Sequence, residues 1–478
     1  MKCDKGPSNF SFDRFVTFVP NAVRTRWFMI CVALLYSLFT VSLVEVSVQF
    51  SAFSIAAFYY EKAVALATVG VFWSAKMQIV GLVGEEGILP VRKLVSVIAR
   101  SQVSHLRFLS IFRWKHSDTF LVACCWYGIV GGSWLLIVDF LPIKLLPCIL
   151  QWVAPLCRTM LWVTIWIVYL SIIHVGREFW ALQFDNLFLD SLLPCPLLPW
   201  TSISGIPLLL DWWLLFRLMF SSGVVKLASR DINWRTGEAM SFHYFSQPLP
   251  SPMSWYAHQL PMAVHKFGCF AHFFIELVVP YFIFTPWRVW SAPLLALLQV
   301  AILSTGNYGF FNLLSIILCI PLIEDQYWPS LARDLYSFVE AAADAPFVAF
   351  PSSTLVSSLL NILCGVFVVL FAIVSLPTLS KMTRRPIHYV LPPQVVKWLT
   401  SSSFTKIKEL FATFPLINGY GLFAVMTTTR AELIFEGSND LHQWKEYHFK
   451  YKPGRIDRPP CFLPIHLPRL DWRLWFCQ

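Results

Sequence analysis

Charge is what this sequence has least of. Only 13% of its 478 residues are charged, where a soluble domain carries about a quarter. The shortage is concentrated in stretches: Trp27–Val44, Phe120–Val138 and Thr354–Pro377 contain no Asp, Glu, Lys or Arg at all. Several separate uncharged runs of about 18 residues or more exceed what a soluble core can bury, so a water-soluble globular protein is excluded. Catalytic signatures are also missing: there is no Gly-x-Ser-x-Gly, His-Glu-x-x-His, Gly-x-Gly-x-x-Gly or P-loop, and nothing in the residues argues for an enzyme. No Cys-x-x-Cys occurs among the twelve cysteines, so no zinc or redox framework is indicated. The absence of an arginine-rich run or a nucleic-acid motif sets that partner class aside.

Apolar chain fills the space that charge leaves. Weaker runs lie at Ala52–Trp73, which contains Glu61 and Lys62, and at Thr159–Ile173, Trp200–Val225, Phe267–Phe284, Val289–Thr305 and Tyr308–Ile323. With the three uncharged runs they predict an α-helical polytopic membrane protein of roughly nine spans. Trp27, Trp73, Trp126, Trp200, Trp287 and Trp290 stand at run ends, as aromatic belts at the headgroup level would place them. Lys2, Lys5, Arg14, Arg24 and Arg26 precede the first run, which lacks a cleavage site and reads as a retained span with a cytoplasmic N-terminus. That topology leaves the sequon Asn9-Phe10-Ser11 in the cytoplasm, unglycosylated.

The membrane body is expected to cover residues 1–377. A linker over 378–409 follows, marked by Pro386, Pro392, Pro393 and Ser401–Ser403. Residues 410–478 read as a small β-rich domain. Gly421–Thr428 and Arg430–Glu436 are strand-like, Gly437–Asp440 is a turn, and Trp444–Tyr451 alternates. From Lys381 onward 14 basic residues face 7 acidic ones, as suits a solvated tail. Lys381, Arg384 and Arg385 pull that tail toward the cytoplasm; an odd number of spans places it in the lumen, the side preferred here. A lumenal tail would allow a Cys461–Cys477 disulfide. The tail is also expected to be separable from the body.

Ionisable groups at membrane depth cost at least about 2.5 kcal/mol, so each needs a partner or water. Arg217 cannot use Asp211, six residues away and on another helix face; it pairs with a distant carboxylate, reaches a water-filled cavity, or snorkels to an interface. His265, His272 and Glu276 share one helix stripe, which suits either a His–Glu hydrogen bond or a metal. The Gly306–Asn312 break, with Asn307 and Asn312, is a hairpin between spans or a discontinuous helix lining a site.

Many of these stretches, in order along the chain, resemble the lipase maturation factor family of endoplasmic reticulum membrane proteins. They include Gly81-Leu-Val-Gly84-Glu-Glu-Gly87, Gln183-Phe184-Asp185-Asn186, and Phe216-Arg217 through Lys226. Phe242-His243-Tyr244-Phe245-Ser246-Gln247-Pro248 and His272 through Glu276 follow, and in the tail Asn418-Gly-Tyr420-Gly421, Arg430-Ala-Glu432, Lys452-Pro453-Gly454 and Arg469-Leu-Asp-Trp472. Phe245 and Ser246 stand where the family pattern has Glu and Thr, and Phe184 where it has Trp.

The resemblance implies a non-enzymatic factor in the endoplasmic reticulum membrane that helps secreted lipases fold and assemble into dimers. It needs no cofactor, and its partners are client lipases and the bilayer. Arg217, Lys226, His243, Tyr244, Gln247, His272, Glu276, Asn307, Asn312, Asp185 and Trp444 are the candidate client-binding or structural residues; no catalytic or metal-binding residue is assigned. The alternatives are an intramembrane enzyme acting on a lipid or quinone-like substrate through Lys226, His243, His272 and Glu276, or a transporter using Arg217 and the Gly306–Asn312 break. Either would need its polar residues gathered around one pocket, whereas an assembly factor needs an exposed surface.

Overall fold

The computed structural model describes residues 50–100, 110–141, 148–201, 205–343, 354–382, 401–414, 416–454 and 457–477, with Phe108 and Lys397. The expected first span, Trp27–Val44, and most of the 378–409 linker lie outside the described residues. The long helices are α1 (Ser54–Lys76), α2 (Asp118–Ile137) and α3 (Cys148–Gly176). The short α4 (Gln183–Ser191) leads to α5 (Gly205–Ala228). Next come α6 (Ala239–Ser246), α7 (Pro252–His258), α8 (Met262–Leu277), α9 (Arg288–Thr305) and α10 (Phe311–Ile317). After α11 (Thr354–Met382) the chain makes β1 (Phe435–Gly437), β2 (Lys445–Tyr447) and α12 (Arg469–Leu474).

Among the described residues seven helical segments are long and apolar enough to cross a membrane, so the chain is a multi-pass membrane protein. The run expected at Tyr308–Ile323 differs: it forms α10 and a 3₁₀ turn at Ile320–Leu322. About twelve residues at a rise of 1.5 Å give only ~18 Å of helix, and this segment is buried within the protein, where a short helix is tolerated.

Small residues set the tightest packing. A Cβ on Gly128 of α2 would meet the Phe72 ring at 2.3 Å, and one on Gly132 would meet the Ala65 carbonyl at 2.9 Å. This is how helices approach in lipid, where apolar surface alone gives no preference for a neighbour over a lipid tail. Glu61 and Lys62 in α1 are accommodated by neighbours. Arg158 of α3 donates to Glu61 at 2.6 Å and to Asp139 at 2.7 Å, Trp162 Nε1 donates to Glu61 at 2.7 Å, and Lys62 pairs with Asp139. Helix α5 is the central strut, with most of its residues buried.

The small antiparallel sheet is present, with Phe435 opposite Tyr447. The further strands expected at Gly421–Thr428 and beyond Tyr447 are irregular chain instead. Some of their backbone donors are taken by side chains elsewhere: Gly421 N–H by Gln183, Met426 N–H by Asp231, and Tyr451 N–H by Asp471. A backbone group bonded this way is not available to a sheet ladder. The segment does not stand apart from the body. Tyr420, Leu467 and Trp472 belong to the same buried core as the spans, and the Leu467 and Arg469 amides are accepted by Ser74 and Gln78 at the end of α1. Cys461 and Cys477 are both free thiols.

Candidate functional site

The predicted polar residues gather where the C-terminal segment crosses the body, in three knots. In the first, Arg217 is 1% exposed. Its Nη1 donates to the Asn418 carbonyl at 3.3 Å, its Nη2 lies 3.6 Å from Asp190, and its guanidinium faces the Phe371 ring at 5.2 Å. Asp190 also accepts from Tyr420 at 2.6 Å and from Asn418 at 3.0 Å. Burial pushes the Asp190 carboxyl up to about 7, against the opposing pull of Arg217, Tyr420 and Asn418. The expected distant carboxylate is therefore Asp190, and Arg217 does not snorkel. Asp211 instead accepts the Tyr60 hydroxyl at 2.8 Å.

The second knot is built on Asp185. Arg469 donates to it through Nη1 at 2.8 Å and Nη2 at 2.6 Å, and also to the Phe179 carbonyl at 2.8 Å. Tyr169 donates to Asp185 at 2.5 Å, and the guanidinium lies 4.1 Å from the Trp180 ring centre. Bidentate geometry and a stacked ring are what make arginine, not lysine, suited to a buried pair.

The third holds most of the candidates. Lys226 donates to both oxygens of Glu276 at 2.6 Å, under the Trp234 ring. The His272–Glu276 hydrogen bond expected from their spacing does not form: Glu276 is taken by Lys226, and His272 Nδ1 bonds the Gly268 carbonyl at 3.0 Å. His265 lies near the Tyr244 ring rather than with them. Among the described residues no three His, Cys, Asp or Glu are grouped to hold a metal ion. Lys226, His243, His272, Glu276 and Asn312 line one cavity of about 60 Å³, and the Oδ1 of Asn312 has no hydrogen-bond partner.

Beside that cavity Tyr308 donates to Gln247 Oε1 at 2.7 Å, and His243 Nε2 lies 3.3 Å from the same hydroxyl. The hydroxyl has a single proton, so His243 Nε2 carries its own and donates to Tyr308. Gln247 donates to the carbonyls of Thr305 at 2.7 Å and Tyr244 at 3.1 Å. A Cβ on Gly306 would sit 2.1 Å from Gln247 Oε1, and Gly309 adopts φ +56°; both glycines are needed for the chain to turn here. The Gly306–Asn312 break is thus a helix interruption that lines this cavity through Tyr308, Phe311 and Asn312. Asn307 bonds the carbonyls of Pro250 and Cys461 and the amide of Leu463, and its carbonyl accepts Trp472 Nε1 at 3.1 Å. Asn312 donates to Gln299 at 2.9 Å.

Burial, with the Lys226 and His272 charges nearby, lowers the His243 pKa from 6.5 to about 3. Between those values the unfolded chain binds a proton that the folded chain refuses, so stability falls as the pH drops below about 6.5. We expect a loss of about 2 kcal/mol from this group at pH 5. Asp190, raised to about 7, gains stability over the same interval, so the histidine is read by comparison. On going from pH 7 to pH 5 the melting temperature should change more favourably in His243→Gln than in the native chain, and an equal response of the two would rule the histidine out.

A larger cleft, about 590 Å³, opens on the outer side of this region. One wall carries Tyr244, Phe245, Trp255 and His258; the other runs from Arg430 through β2 to Cys461. Arg430 fixes the floor, donating to the carbonyls of Phe245, Gln247 and Pro248 and pairing with Glu432 at 2.6 Å. Phe245, the position where the family pattern has Glu, faces the His258 ring at 5.2 Å. Trp444 is exposed and does not line the cleft. Residue type and spacing did not single out Asp190, Tyr308, Arg430 or Arg469; for Arg430 and Arg469 the available signal was position within a collinear motif.

The profile described as the lipase maturation factor transmembrane domain matches residues 55–330, and that of the lipase maturation factor C-terminal domain matches 416–478. Lipase maturation factor 2 of Xenopus laevis is 31% identical, over 85% of this chain and 68% of that protein. The protein of the same name from Homo sapiens is 31% identical, over 85% and 69%, and lipase maturation factor 1 of Bos taurus 27%, over 83% and 70%. No solved structure matches the chain.

Proposed function

The chain belongs to the lipase maturation factor family, and from that premise we propose that it helps secreted lipases fold and assemble into dimers at the endoplasmic reticulum membrane. It acts as a non-enzymatic factor, with its N-terminus in the cytoplasm and the cleft between Tyr244–His258 and Arg430–Cys461 on the lumenal side. The observation that carries this reading is the cleft. It is large, largely apolar, open on one side, and walled by the short strand β2 and by the irregular chain that follows it to Lys452. A folding lipase presents unpaired extended segments with apolar side chains, and an exposed strand edge receives such a segment by backbone pairing and side-chain pockets.

Ile434 and Tyr447 line the cleft and are well exposed, so neither supports the core. The double variant Ile434→Ser with Tyr447→Ser should accumulate normally and yield several-fold less secreted active lipase in cells lacking the native factor. Unchanged lipase activity at equal amounts of the variant would overturn the cleft as the client site. The orientation is checked separately. A C-terminal epitope on sealed microsomes should resist protease until detergent is added, and digestion in intact vesicles would put the tail in the cytoplasm.

The enzyme alternative gains little from the cavity shared by Lys226, His243, His272 and Glu276. At about 60 Å³, it takes a few waters, at roughly 10–15 Å³ of such volume each, and not a lipid or quinone headgroup. Arg217 does not line it, so this cavity does not join the two elements of the transporter reading.

A further inference from the structure

We propose that α7 and the mouth of the adjoining cleft lie in the phospholipid headgroup layer of one leaflet, so that the cleft opens along the membrane surface and not into bulk solvent. The ruler is α9. Its 18 residues span ~27 Å at 1.5 Å per residue, close to the ~30 Å hydrocarbon thickness of a bilayer. At its start Trp287 and Trp290 are 66% and 72% exposed, and along its outer face Leu294, Leu297 and Val300 are exposed. That is a lipid-facing helix with an aromatic belt at one end.

The other end of α9 is tied to the chain entering α7. Ser251 Oγ donates to the Ser304 carbonyl at 2.5 Å, Asn307 N–H donates to the Leu249 carbonyl at 2.9 Å, and Pro250 bridges Gly306. Helix α7 therefore begins at the level where α9 leaves the hydrocarbon. Its inward residue is Ser254, 3% exposed, while Met253, Trp255 and Tyr256 point outward at 54%, 61% and 62%. A Trp–Tyr pair with apolar bodies and polar tips is the composition of the headgroup boundary.

The patch also has a continuation. Leu260, Met262 and Val264 are exposed and lead into Phe267 and Phe270 on α8, the lipid-facing side of the next span. Gln259 and Lys266 are exposed beside it, polar tips that reach the interface; facing water, this apolar strip would be an aggregation liability, and facing lipid it is one surface. The two aromatic sets, Trp287 with Trp290 and Trp255 with Tyr256, then stand about one hydrocarbon thickness apart. Across the cleft from Trp255, Lys450 and Arg458 are exposed, cations at the height where lipid phosphates lie. The occupant of the α7 face is accordingly the glycerophospholipid interface itself. The placement is independent of which client the cleft receives.

The test uses the full chain, without lipase, in phosphatidylcholine vesicles. A small fluorescent amino acid replaces Tyr256 in one preparation and Leu297 in a second. Quenching is compared among a headgroup nitroxide lipid, a lipid with the nitroxide midway along an acyl chain, and aqueous iodide. At Tyr256 most of the emission should be lost to the headgroup nitroxide. At Leu297 it should be lost to the acyl nitroxide, and this also certifies that the protein is inserted. Dominant quenching of position 256 by iodide would place α7 in solvent, dominant quenching by the acyl nitroxide would place it inside the hydrocarbon, and insensitivity to all three would mean that protein covers it. Each of these overturns the proposal, and none bears on lipase maturation.

Discussion

Replacing Arg469 with methionine is expected to cost the folded protein about 3–5 kcal/mol, the penalty for leaving a buried charge without its partner. Asp185 is fully buried and its two oxygens accept from Arg469 and Tyr169. Methionine fills similar space under the Trp180 ring but supplies no donor. The double variant Arg469→Met with Asp185→Leu should recover much of the loss, because two apolar groups of matching volume can replace a buried ion pair at little net cost. Melting temperatures in detergent for the two single variants and the double variant form the cycle. A loss in the double variant equal to the sum of the two single losses would show that the pair is not coupled.

Truncation after about residue 405 is expected to have a still larger effect, and on the body as well as on the tail. It removes Asn418 and Tyr420 from Asp190 and Arg217, Arg469 from Asp185, and the Cys461 and Leu463 backbone partners from Asn307. Several buried polar groups lose partners at a few kcal/mol each, which together consumes much of a typical stability of about 5–15 kcal/mol. This reverses the expectation of a separable tail. The truncated chain should be recovered at a small fraction of the full-length amount and aggregate on size exclusion. A monodisperse truncated body with an unchanged melting temperature would show that the docking contributes little.

The legibility of this chain divides along the range of the forces involved. Missing charge is a local property, and it was enough to identify the membrane class and seven of the spans that the structure describes. Burial cost is local too, so Arg217 required a partner wherever the fold placed it; Asp190 lies 27 positions away, and only the folding of α4 against α5 brings it near. Spacing on one helix placed His272 and Glu276 on a common stripe but could not reveal that Lys226, on another helix, takes both carboxylate oxygens. Alternating side chains in Trp444–Tyr451 suggested a strand, and the sheet does include Lys445–Tyr447. The wider sheet was lost where amides of the expected strands bond Gln183, Asp231 and Asp471 instead, partners that pattern alone cannot rank. The sequence by itself determined the solvent in which this protein must live and which side chains would be costly there. The tertiary structure alone decided who satisfies them, because buried hydrogen bonds and ion pairs depend on ångström-scale positions between segments hundreds of residues apart.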